Sequence, residues 1–340
     1  MSQATNHTIT IQPSGHVFKV RPSQTVLEAA IEAGINLPYG CRNGACGSCK
    51  GKLLQGSVVH DDYQVSAMTD AELVAGNALF CCARPLSDLT IECREVSGLN
   101  GFKPRILPAR VQLMERFTSD VMVMHLKLPS TEKLHFLAGQ YIEFLLKDGK
   151  RRAFSIANAP HDDDKLELHI RLVEGGQFTQ YVFNELQVKA IMRIEAPFGS
   201  FYLREDSHKP IIFVVGGTGF APVKGMIEHM LHCNINREVI LYRGGRTAKD
   251  LYMNELCEKW AEKMPNLSYL PVVNEADAAW QGRKGLVHKA VLDDFEDLSG
   301  YQVYCCGAPG MVDIAHQTFV AQGLPSDEFF SDAFTFAHPT

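Results

Sequence analysis

The stretch at residues 41–49 constrains this chain most, because it places three cysteines within nine residues. Its letters are CRNGACGSC, so Cys41, Cys46 and Cys49 follow a C-x4-C-x2-C spacing. The residues between them are mostly small, which lets the backbone wrap closely around an inorganic core. This spacing is typical of loops that bind a [2Fe–2S] cluster through cysteine thiolates.

Such a cluster needs a fourth thiolate, and we predict that Cys81 supplies it, with Cys82 as a neighbour rather than a ligand. A zinc site is the first alternative, but zinc sites of this size usually use two spaced cysteine or histidine pairs. Cys81 and Cys82 are adjacent in sequence and are therefore poorly spaced to bind one tetrahedral ion together. Disulfides are the second alternative. They are disfavoured because the first residues, MSQATNHTIT, contain no basic and apolar secretory signal.

Length and composition limit the possible classes of protein. A chain of 340 residues is expected to form two or three domains. The formal net charge of -6 argues against a nucleic-acid-binding protein, which would normally carry a basic patch. No stretch approaches the ~20 apolar residues needed to cross a bilayer. We therefore expect a cytoplasmic protein that binds neither nucleic acid nor membrane.

The segment at residues 1–97 is predicted to be one domain. Two alternating strands, at residues 8–11 and 17–20, are separated by a Pro-Ser-Gly turn and predict a hairpin. Residues 23–34 then show apolar positions at helical spacing, between a Ser or Thr cap and a terminating glycine. This β-β-α order leads directly into the cysteine loop, and it resembles a plant-type ferredoxin domain with a β-grasp fold.

Two further domains are predicted after a Gly- and Pro-containing linker at residues 97–104. Residues 105–206 show alternating strands, for example at 121–128 and 166–173, which favour an antiparallel barrel interrupted by one amphipathic segment. In residues 209–340 apolar strands alternate with helical patterns, as in a doubly wound parallel sheet. The expected fold class is thus multidomain, with α+β, β and α/β domains. The strands predicted in the last domain lie at 211–215, 239–242, 267–272, 302–305 and near Phe329.

A basic strand at residues 151–158, preceded by a Gly-Gln turn, resembles the R-x-Y-S flavin motif of the ferredoxin–NADP reductase superfamily. The resemblance implies that Arg152 binds the flavin diphosphate, which suits its forked guanidinium. It also implies that Phe154, beside Ala153, packs on the flavin, and that Ser155 lies near flavin N5. Phe154 stands where tyrosine is usual, so the apolar surface is kept and the phenol hydrogen bond is not.

Two more segments match the same superfamily and favour FAD over FMN. The second of them opens a helix whose free N–H groups can hold phosphate. The matching residues are His169, Ile170 and Arg171 in the first segment, and Gly176, Gln177, Phe178 and Thr179 in the second.

A glycine-rich turn at residues 216–222 lies between a predicted parallel strand and a helix. That placement brings backbone donors and the positive end of the helix dipole to a pyrophosphate. The turn resembles the G-G-T-G-x-x-P element of the superfamily, and residues 306–311 resemble its C-G-x-P-x-M element. The residues implied to bind nicotinamide coenzyme are Gly217, Thr218, Gly219, Pro222, Cys306, Gly307 and Met311.

The terminal segment also resembles the superfamily, in which an acidic residue and an aromatic residue approach the flavin. The resemblance implies that Ser155, Cys306 and Asp332 surround the hydride path, and that Phe334 is a gate that yields to nicotinamide. An ordinary core aromatic is the alternative for Phe334, and a turn cap for Asp332.

The sequence gives only a weak indication of the choice between NADH and NADPH. Arg243 and Arg246 follow the second strand of the α/β domain and could accept the 2′-phosphate of NADPH. Both could equally be solvated surface charges. We expect NADH first, with NADPH possible.

Within the superfamily, the sequence resembles the CDP-6-deoxy-Δ3,4-glucoseen reductases, which pass electrons to a dehydrase of deoxysugar synthesis. The same domain order occurs in class IB reductase components of aromatic-ring dioxygenases and in those of multicomponent monooxygenases. The implied function is electron transfer from NAD(P)H through FAD and a [2Fe–2S] cluster, one electron at a time, to a partner protein. A free-flavin reductase and a redox sensor are alternatives of other classes.

Overall fold

The computed structural model describes residues 6–96 and 103–335, and the chain divides into two compact units. The first unit extends to Pro104 and the second runs from Arg105 to Phe334. Most of the predicted linker, residues 97–102, lies outside the described residues. Within the described ranges, no helix is long and apolar enough to span a membrane.

The first unit is a β-grasp domain of plant-type ferredoxin class, as predicted. Strand β1 pairs antiparallel with β2 and parallel with β7, and the sheet order is β2-β1-β7-β3-β5. Its elements are β1 (His7–Gln12), β2 (Val17–Val20), α1 (Val26–Ala33), β3 (Lys50–Gln55), β4 (Val58–His60), α2 (Asp70–Val74), β5 (Asn77–Leu79), β6 (Ala83–Pro85) and β7 (Leu89–Glu92).

Helix α1 delivers the chain to the cysteine loop. Thr25 and Glu28 form a capping box at its start, with the Glu28 carboxylate 2.9 Å from the Thr25 nitrogen. Gly34 ends the helix in the left-handed region, at φ +77°. The chain then runs through residues 35–40 into the loop, and β3 begins directly after Cys49.

The second unit begins with the predicted antiparallel barrel. The strand order is β11-β10-β13-β8-β9-β12, and a bridge between Ile156 and Leu168 joins the two outer strands. The predicted strand at 166–173 ends two residues earlier than expected. The elements are β8 (Arg105–Arg116), β9 (Val121–Lys127), β10 (Tyr141–Leu145), β11 (Arg151–Ser155), β12 (Leu166–Arg171), α3 (Gln177–Asn184) and β13 (Ile191–Phe198).

A doubly wound parallel sheet follows in the same unit, with the order β17-β16-β15-β14-β18-β19. Strand β14 is apolar throughout and its first five residues are buried, because helices cover both of its faces. The elements are β14 (Ile211–Gly216), α4 (Phe220–Cys233), β15 (Val239–Gly245), α5 (Asn254–Lys263), β16 (Leu267–Val273), β17 (Arg283–Lys284), α6 (Val287–Asp294), β18 (Gln302–Gly307), α7 (Pro309–Ala321) and β19 (Phe329–Ala333).

The strand order reverses at β14, which has β15 on one side and β18 on the other. In open parallel sheets, ligands bind in the crevice beyond the carboxyl ends of the strands at such a reversal. The turn at residues 217–219 follows β14, and Gly307 ends β18. The topology therefore brings two sequence-predicted segments to one crevice.

Candidate cofactor and metal sites

The loop at residues 41–49 turns backbone amides onto its own cysteine sulfurs. The N–H groups of Ala45 and Cys46 both donate to Cys41 Sγ at 3.3 Å. The N–H of Cys41 donates to Cys46 Sγ, also at 3.3 Å. Such N–H donors favour the thiolate form over the thiol, so the loop backbone prepares its sulfurs to bind metal.

The four predicted ligand thiols interact in two pairs, Cys41 with Cys46 and Cys49 with Cys81. A hydrogen bond from Cys41 lowers the pKa of Cys46 to about 6, and hydrogen bonds from Cys49 and then from Cys82 lower the pKa of Cys81 to about 4. The same hydrogen bonds raise the pKa of Cys41 and of Cys49. Two pairs of sulfurs suit a cluster of two irons held by four cysteines.

Cys82 lies beside these pairs. Its Sγ is 3.5 Å from Cys81 Sγ and 3.8 Å from the carbonyl oxygen of Asp62, to which it donates. A Cβ added at Gly44 would lie 2.7 Å from Cys82 Sγ, and Gly44 has φ +72°. Glycine is therefore required where the cysteine loop passes over Cys82.

Over residues 6–96 and 103–335, no group of three or more His, Cys, Asp or Glu side chains is arranged to hold a single metal ion.

The predicted flavin strand lies beside the start of α3. The Phe154 ring is half-buried, with its centroid 5.7 Å from that of Phe178 and 5.8 Å from that of Phe144. Arg152 is half-buried on the same strand. The structure therefore brings together the residue sets 152–155 and 176–179, which are distant in sequence.

Helix α3 begins at Gln177 without a side-chain cap on its first N–H groups. The Thr179 hydroxyl instead accepts from the Val173 N–H at 3.1 Å and donates to the Gly176 carbonyl oxygen, also at 3.1 Å. The first turn can thus offer backbone donors and the positive end of its dipole to a phosphate group.

The glycine-rich turn at residues 217–219 packs directly on the end of β18. A Cβ added at Gly219 would overlap the carbonyl oxygen of Cys306, and one at Gly216 would lie 3.0 Å from Met311 Sδ. Thr218 and Pro222 are buried in the same region. The close backbone approach explains the glycines and brings the two predicted coenzyme segments together.

The barrel and the sheet meet at the predicted hydride path. Ser155 Oγ donates to Asp332 Oδ2 at 3.4 Å, and Asp332 pairs with Cys306 across strands β19 and β18. The N–H of Phe334 donates to the Gly307 carbonyl oxygen at 2.8 Å. Burial, and then the nearby Asp332, raise the pKa of the Cys306 thiol well above its usual value, so Cys306 is a neutral neighbour there.

The position of Arg243 does not fit the prediction that this residue binds the coenzyme. Its side chain is 1% exposed and stacks on Phe220, with Cζ 3.8 Å from the ring centroid, and it donates to the backbone carbonyl of Tyr252. The sequence placed it at a strand end, where a ligand contact is typical, but the guanidinium points into the core of the domain. Arg246, three residues later, is exposed beyond the end of β15.

Residues 169–171 have three different surroundings. Ile170 lies in the barrel core. Arg171 is exposed, and its Nε donates to Asp120 Oδ2 at 2.9 Å. Its Nη1 would lie 2.9 Å from a Cβ added at Gly217. His169 is buried against Tyr252 from the α/β domain, at 2.9 Å between Nδ1 and the hydroxyl. The expectation that the His169 side chain binds cofactor is therefore not supported by its contacts.

Sequence reasoning missed Glu167, which pairs with His169, and Lys224, which pairs with Glu167; both are buried. The one signal was the alternation in β12, in which Glu167 and His169 share a face. Charged residues on one face of a strand ordinarily indicate exposure to solvent.

Comparison with known families agrees with this architecture. Residues 9–86 match the 2Fe-2S iron-sulfur cluster binding domain, 108–202 the oxidoreductase FAD-binding domain and 213–317 the oxidoreductase NAD-binding domain. A chain with these three domains is an NAD(P)H-dependent iron–sulfur flavoprotein reductase.

Similarity to individual proteins extends over almost the whole chain. The CDP-6-deoxy-L-threo-D-glycero-4-hexulose-3-dehydrase reductase of Yersinia pestis is 40% identical over 96% of this chain and 98% of its own. The reductase component of phenol 2-monooxygenase from a Pseudomonas species is 35% identical, covering 97% and 94%. The crystal structure of the Amycolatopsis cytochrome P450 reductase GcoB matches with a TM-score of 0.81 and 32% identity, covering 96% and 98%. The chain belongs to the three-domain iron–sulfur flavoprotein reductases of the ferredoxin–NADP reductase superfamily.

The two arginines after β15 give a first prediction. We expect Arg246→Ala to lower kcat/KM for NADPH about tenfold, because one charged hydrogen bond to the 2′-phosphate is lost. The kcat/KM for NADH should change by no more than about twofold. We expect Arg243→Leu to affect both coenzymes alike and to lower the melting temperature by about 5 °C, because a stacked, hydrogen-bonded guanidinium is lost from the core. Steady-state kinetics with each coenzyme and a thermal melt measure both effects. An NADPH-selective loss in Arg243→Leu would contradict this assignment.

Proposed function

We propose that the electrons of this reductase go to a dehydrase acting on a CDP-linked 6-deoxyhexulose. The support is 40% identity to the Yersinia pestis reductase named for that dehydrase, over 96% of this chain, against 35% to the phenol 2-monooxygenase component. An oxygenase component is the alternative acceptor, since the same three domains serve there. NADH is proposed as the first electron donor, with NADPH possible.

The proposed metal ligands are Cys41, Cys46, Cys49 and Cys81. When bound, a [2Fe–2S] cluster carries one electron at a time, which is what a single-electron acceptor needs. The loop amides neutralise part of the sulfur charge, and Cys82 fills the space beside Cys81. The support for this ligand set is the match of residues 9–86 to the 2Fe-2S iron-sulfur cluster binding domain, together with the amides that the loop turns onto its own sulfurs.

The proposed flavin-binding residues form two groups in the barrel. Arg152, with its forked donors, and the uncapped start of α3 would hold the diphosphate, and the exposed side of Phe154 would provide an apolar wall. FAD when bound accepts a hydride and releases its electrons singly. The full set comprises Arg152, Ala153, Phe154, Ser155, Ile170, Arg171, Gly176, Gln177, Phe178 and Thr179.

The proposed coenzyme site lies where the turn at residues 217–219 meets β18. The turn would bind pyrophosphate, and Met311 and Gly307 would limit the depth of the crevice. Ser155 and Asp332 would orient the reacting groups, with Cys306 as a neutral wall, and Phe334 would be displaced by the nicotinamide. The observation that carries the proposal is this convergence: Ser155 of the barrel reaches Asp332 of the sheet at 3.4 Å.

We further propose domain limits at residues 1–97, 105–206 and 209–340, and a cytoplasmic location. The location is supported by the ten cysteines, all of which are free in the structure, as expected in a reducing compartment. Neither a free-flavin reductase nor a redox sensor would account for a cysteine loop, a flavin strand and a coenzyme turn together in one chain.

The ligand assignment predicts different outcomes for two adjacent cysteines. We expect Cys81→Ala to lose most of its iron and acid-labile sulfide, because one of four ligands is removed. Cys82→Ala should keep about two irons per chain, because Cys82 contributes packing only. Iron and sulfide analysis with visible absorption, after anaerobic reconstitution, measures both. Equal loss in the two variants would contradict the assignment.

The electron path predicts that the cluster and the flavin can be separated functionally. We expect Cys46→Ser to abolish reduction of cytochrome c, which takes electrons from the cluster, and to keep reduction of ferricyanide by NADH within about twofold. Tight copurification of FAD with the variant is the control. Cytochrome c reduction that persists in a variant without iron would favour a free-flavin reductase.

The acceptor is tested by reconstitution. We expect anaerobic NADH oxidation beyond the first turnover of the purified protein to require both a CDP-6-deoxyhexulose 3-dehydrase and its sugar substrate, and to yield one equivalent of deoxygenated sugar per NADH. A phenol hydroxylase oxygenase, supplied with oxygen and phenol, is the matched comparison. Coupled turnover only with the oxygenase would replace the dehydrase by the alternative.

A further inference from the structure

Polar and charged side chains on the outer face of β12 are buried where the barrel contacts the α/β domain. Leu166, Leu168 and Ile170 face the barrel core. Glu167 and His169 point the other way and are nevertheless only 6% and 4% exposed. Burying an ionised carboxylate is costly unless it is paired. The groups that pair with Glu167 therefore need to be identified.

Lys224 is the main partner of Glu167. It lies on α4, five residues after Gly219, and its Nζ is 3.1 Å from Glu167 Oε1 and 2.9 Å from Glu228 Oε1. Nζ also donates to the carbonyl oxygen of Ala157 at 3.3 Å. A single ammonium group therefore binds the barrel through a side chain and through backbone two residues after Ser155.

Two histidines complete the surroundings of Glu167. His125 Nε2 lies 3.4 Å from Oε2, and His169 Nε2 lies 2.9 Å from Oε1. Burial lowers the pKa of His169, so its ring is neutral, with the proton on Nε2 facing the carboxylate. The opposite nitrogen, Nδ1, then accepts from the Tyr252 hydroxyl at 2.9 Å.

The charge state of Glu167 is fixed by these contacts. Burial alone would raise its pKa, but the hydrogen bonds from His125 and His169 and the charge of Lys224 hold the pKa well below its usual range. Lys224 keeps its proton, because Glu167 and Glu228 raise its pKa against the effect of burial. Both groups are therefore charged at neutral pH.

Helix α4 lies against the barrel at this point with no space to spare. A Cβ added at Gly225, next to Lys224, would lie 2.8 Å from the carbonyl oxygen of Asn158. One added at Gly139 would overlap Met226 of the same helix. The start of α4 carries the turn at residues 217–219, so movement of α4 over the barrel would move that turn relative to Ser155.

We propose that Glu167 and Lys224 are positioning residues for hydride transfer: their buried ion pair fixes α4, and with it the coenzyme turn, relative to the flavin strand. The inference rests on the proposed function of the two sites. Because hydride transfer depends steeply on the separation of donor and acceptor, a displacement of ~1 Å can cost about 100-fold in rate. A buried ion pair is a weak source of stability, but its directionality can select one arrangement of two packed elements.

The test compares holoenzyme variants that differ in the pair alone. Glu167→Gln keeps the shape and removes one charge, Lys224→Met removes the other, and the double variant removes both. Lys133→Met is the matched control, because Lys133 makes an exposed ion pair with Asp163 at 2.8 Å on the same barrel. Each protein is mixed anaerobically with NADH in a stopped-flow instrument, and flavin bleaching is followed as NADH concentration is raised.

We expect each single variant to bind FAD fully and to lower the limiting rate of flavin reduction about tenfold, with the dissociation constant for NADH within about threefold. The perturbation of the flavin spectrum by NAD⁺ should weaken in parallel, which is a readout independent of turnover. The double variant should recover part of the rate, since the buried charge of Glu167 is then removed together with its partner, and only Glu228, whose side chain is 28% exposed, loses a partner. Lys133→Met should match the wild type.

Two outcomes overturn the proposal. A lower melting temperature with an unchanged limiting rate and an unchanged NAD⁺ difference spectrum would show that the pair is only structural. A larger dissociation constant with an unchanged limiting rate would show that it serves binding instead. If Lys224→Met fails to fold, the isosteric Glu167→Gln decides by the same criteria. Failure of the wild type to bleach with NADH would refute the proposed function itself, and is distinguishable because it precedes any comparison of variants.

Discussion

Close approach of backbone to backbone is the constraint on which the redox site of the second unit depends. The turn at residues 217–219 lies so near the carbonyl oxygen of Cys306 that no Cβ fits at Gly219, and a Cβ at Gly225 would lie 2.8 Å from the carbonyl oxygen of Asn158 of the barrel. These contacts have no slack, because neither partner is a side chain that could rotate away. They fix the carboxyl ends of β14 and β18 and the end of the flavin strand within one small region, where Ser155 reaches Asp332.

The same principle operates in the first unit with sulfur in place of oxygen. Gly44 lets the cysteine loop pass over Cys82, and the amides of that loop turn inward because no side chain blocks them. In both units the residues that make the site possible are therefore those with the smallest side chains. The reactive or charged residues nearby are positioned by them, and a substitution at the glycines would act on the site through geometry rather than chemistry.

This explains which parts could be predicted from the sequence. A glycine pattern between a strand and a helix, and a fixed spacing of cysteines, are local, and local geometry follows from local sequence. The fold of each segment was likewise predicted from its alternation, since period 2 and period 3.6 are written along the chain. The geometry of Cys81 relative to the loop is not local, because thirty-one residues of chain lie between it and Cys49.

What could not be predicted is burial that one segment imposes on another. In the sequence, Arg243 has the position of a surface charge at a strand end, and Glu167 that of a surface charge on an outer strand face. Both are buried by residues far away in sequence. For Arg243 the error assigned a ligand to a core residue, which stacks on Phe220. For Glu167 it hid a charged contact between the barrel and α4. A polar residue on the outer face of a barrel strand can be interpreted only when the neighbouring domain is in place.

The electrostatic surroundings of Cys306 limit what chemistry this residue can perform at the proposed hydride path. A thiol is a nucleophile only as the thiolate, and here burial and the neighbouring Asp332 both raise its pKa. A helix N-terminus or a basic side chain would have the opposite effect, as in cysteine-dependent enzymes. The surroundings of Cys306 therefore keep it protonated, and its small, polarisable side chain can line the path without forming a bond to the substrate. Covalent catalysis by Cys306 is thereby disfavoured.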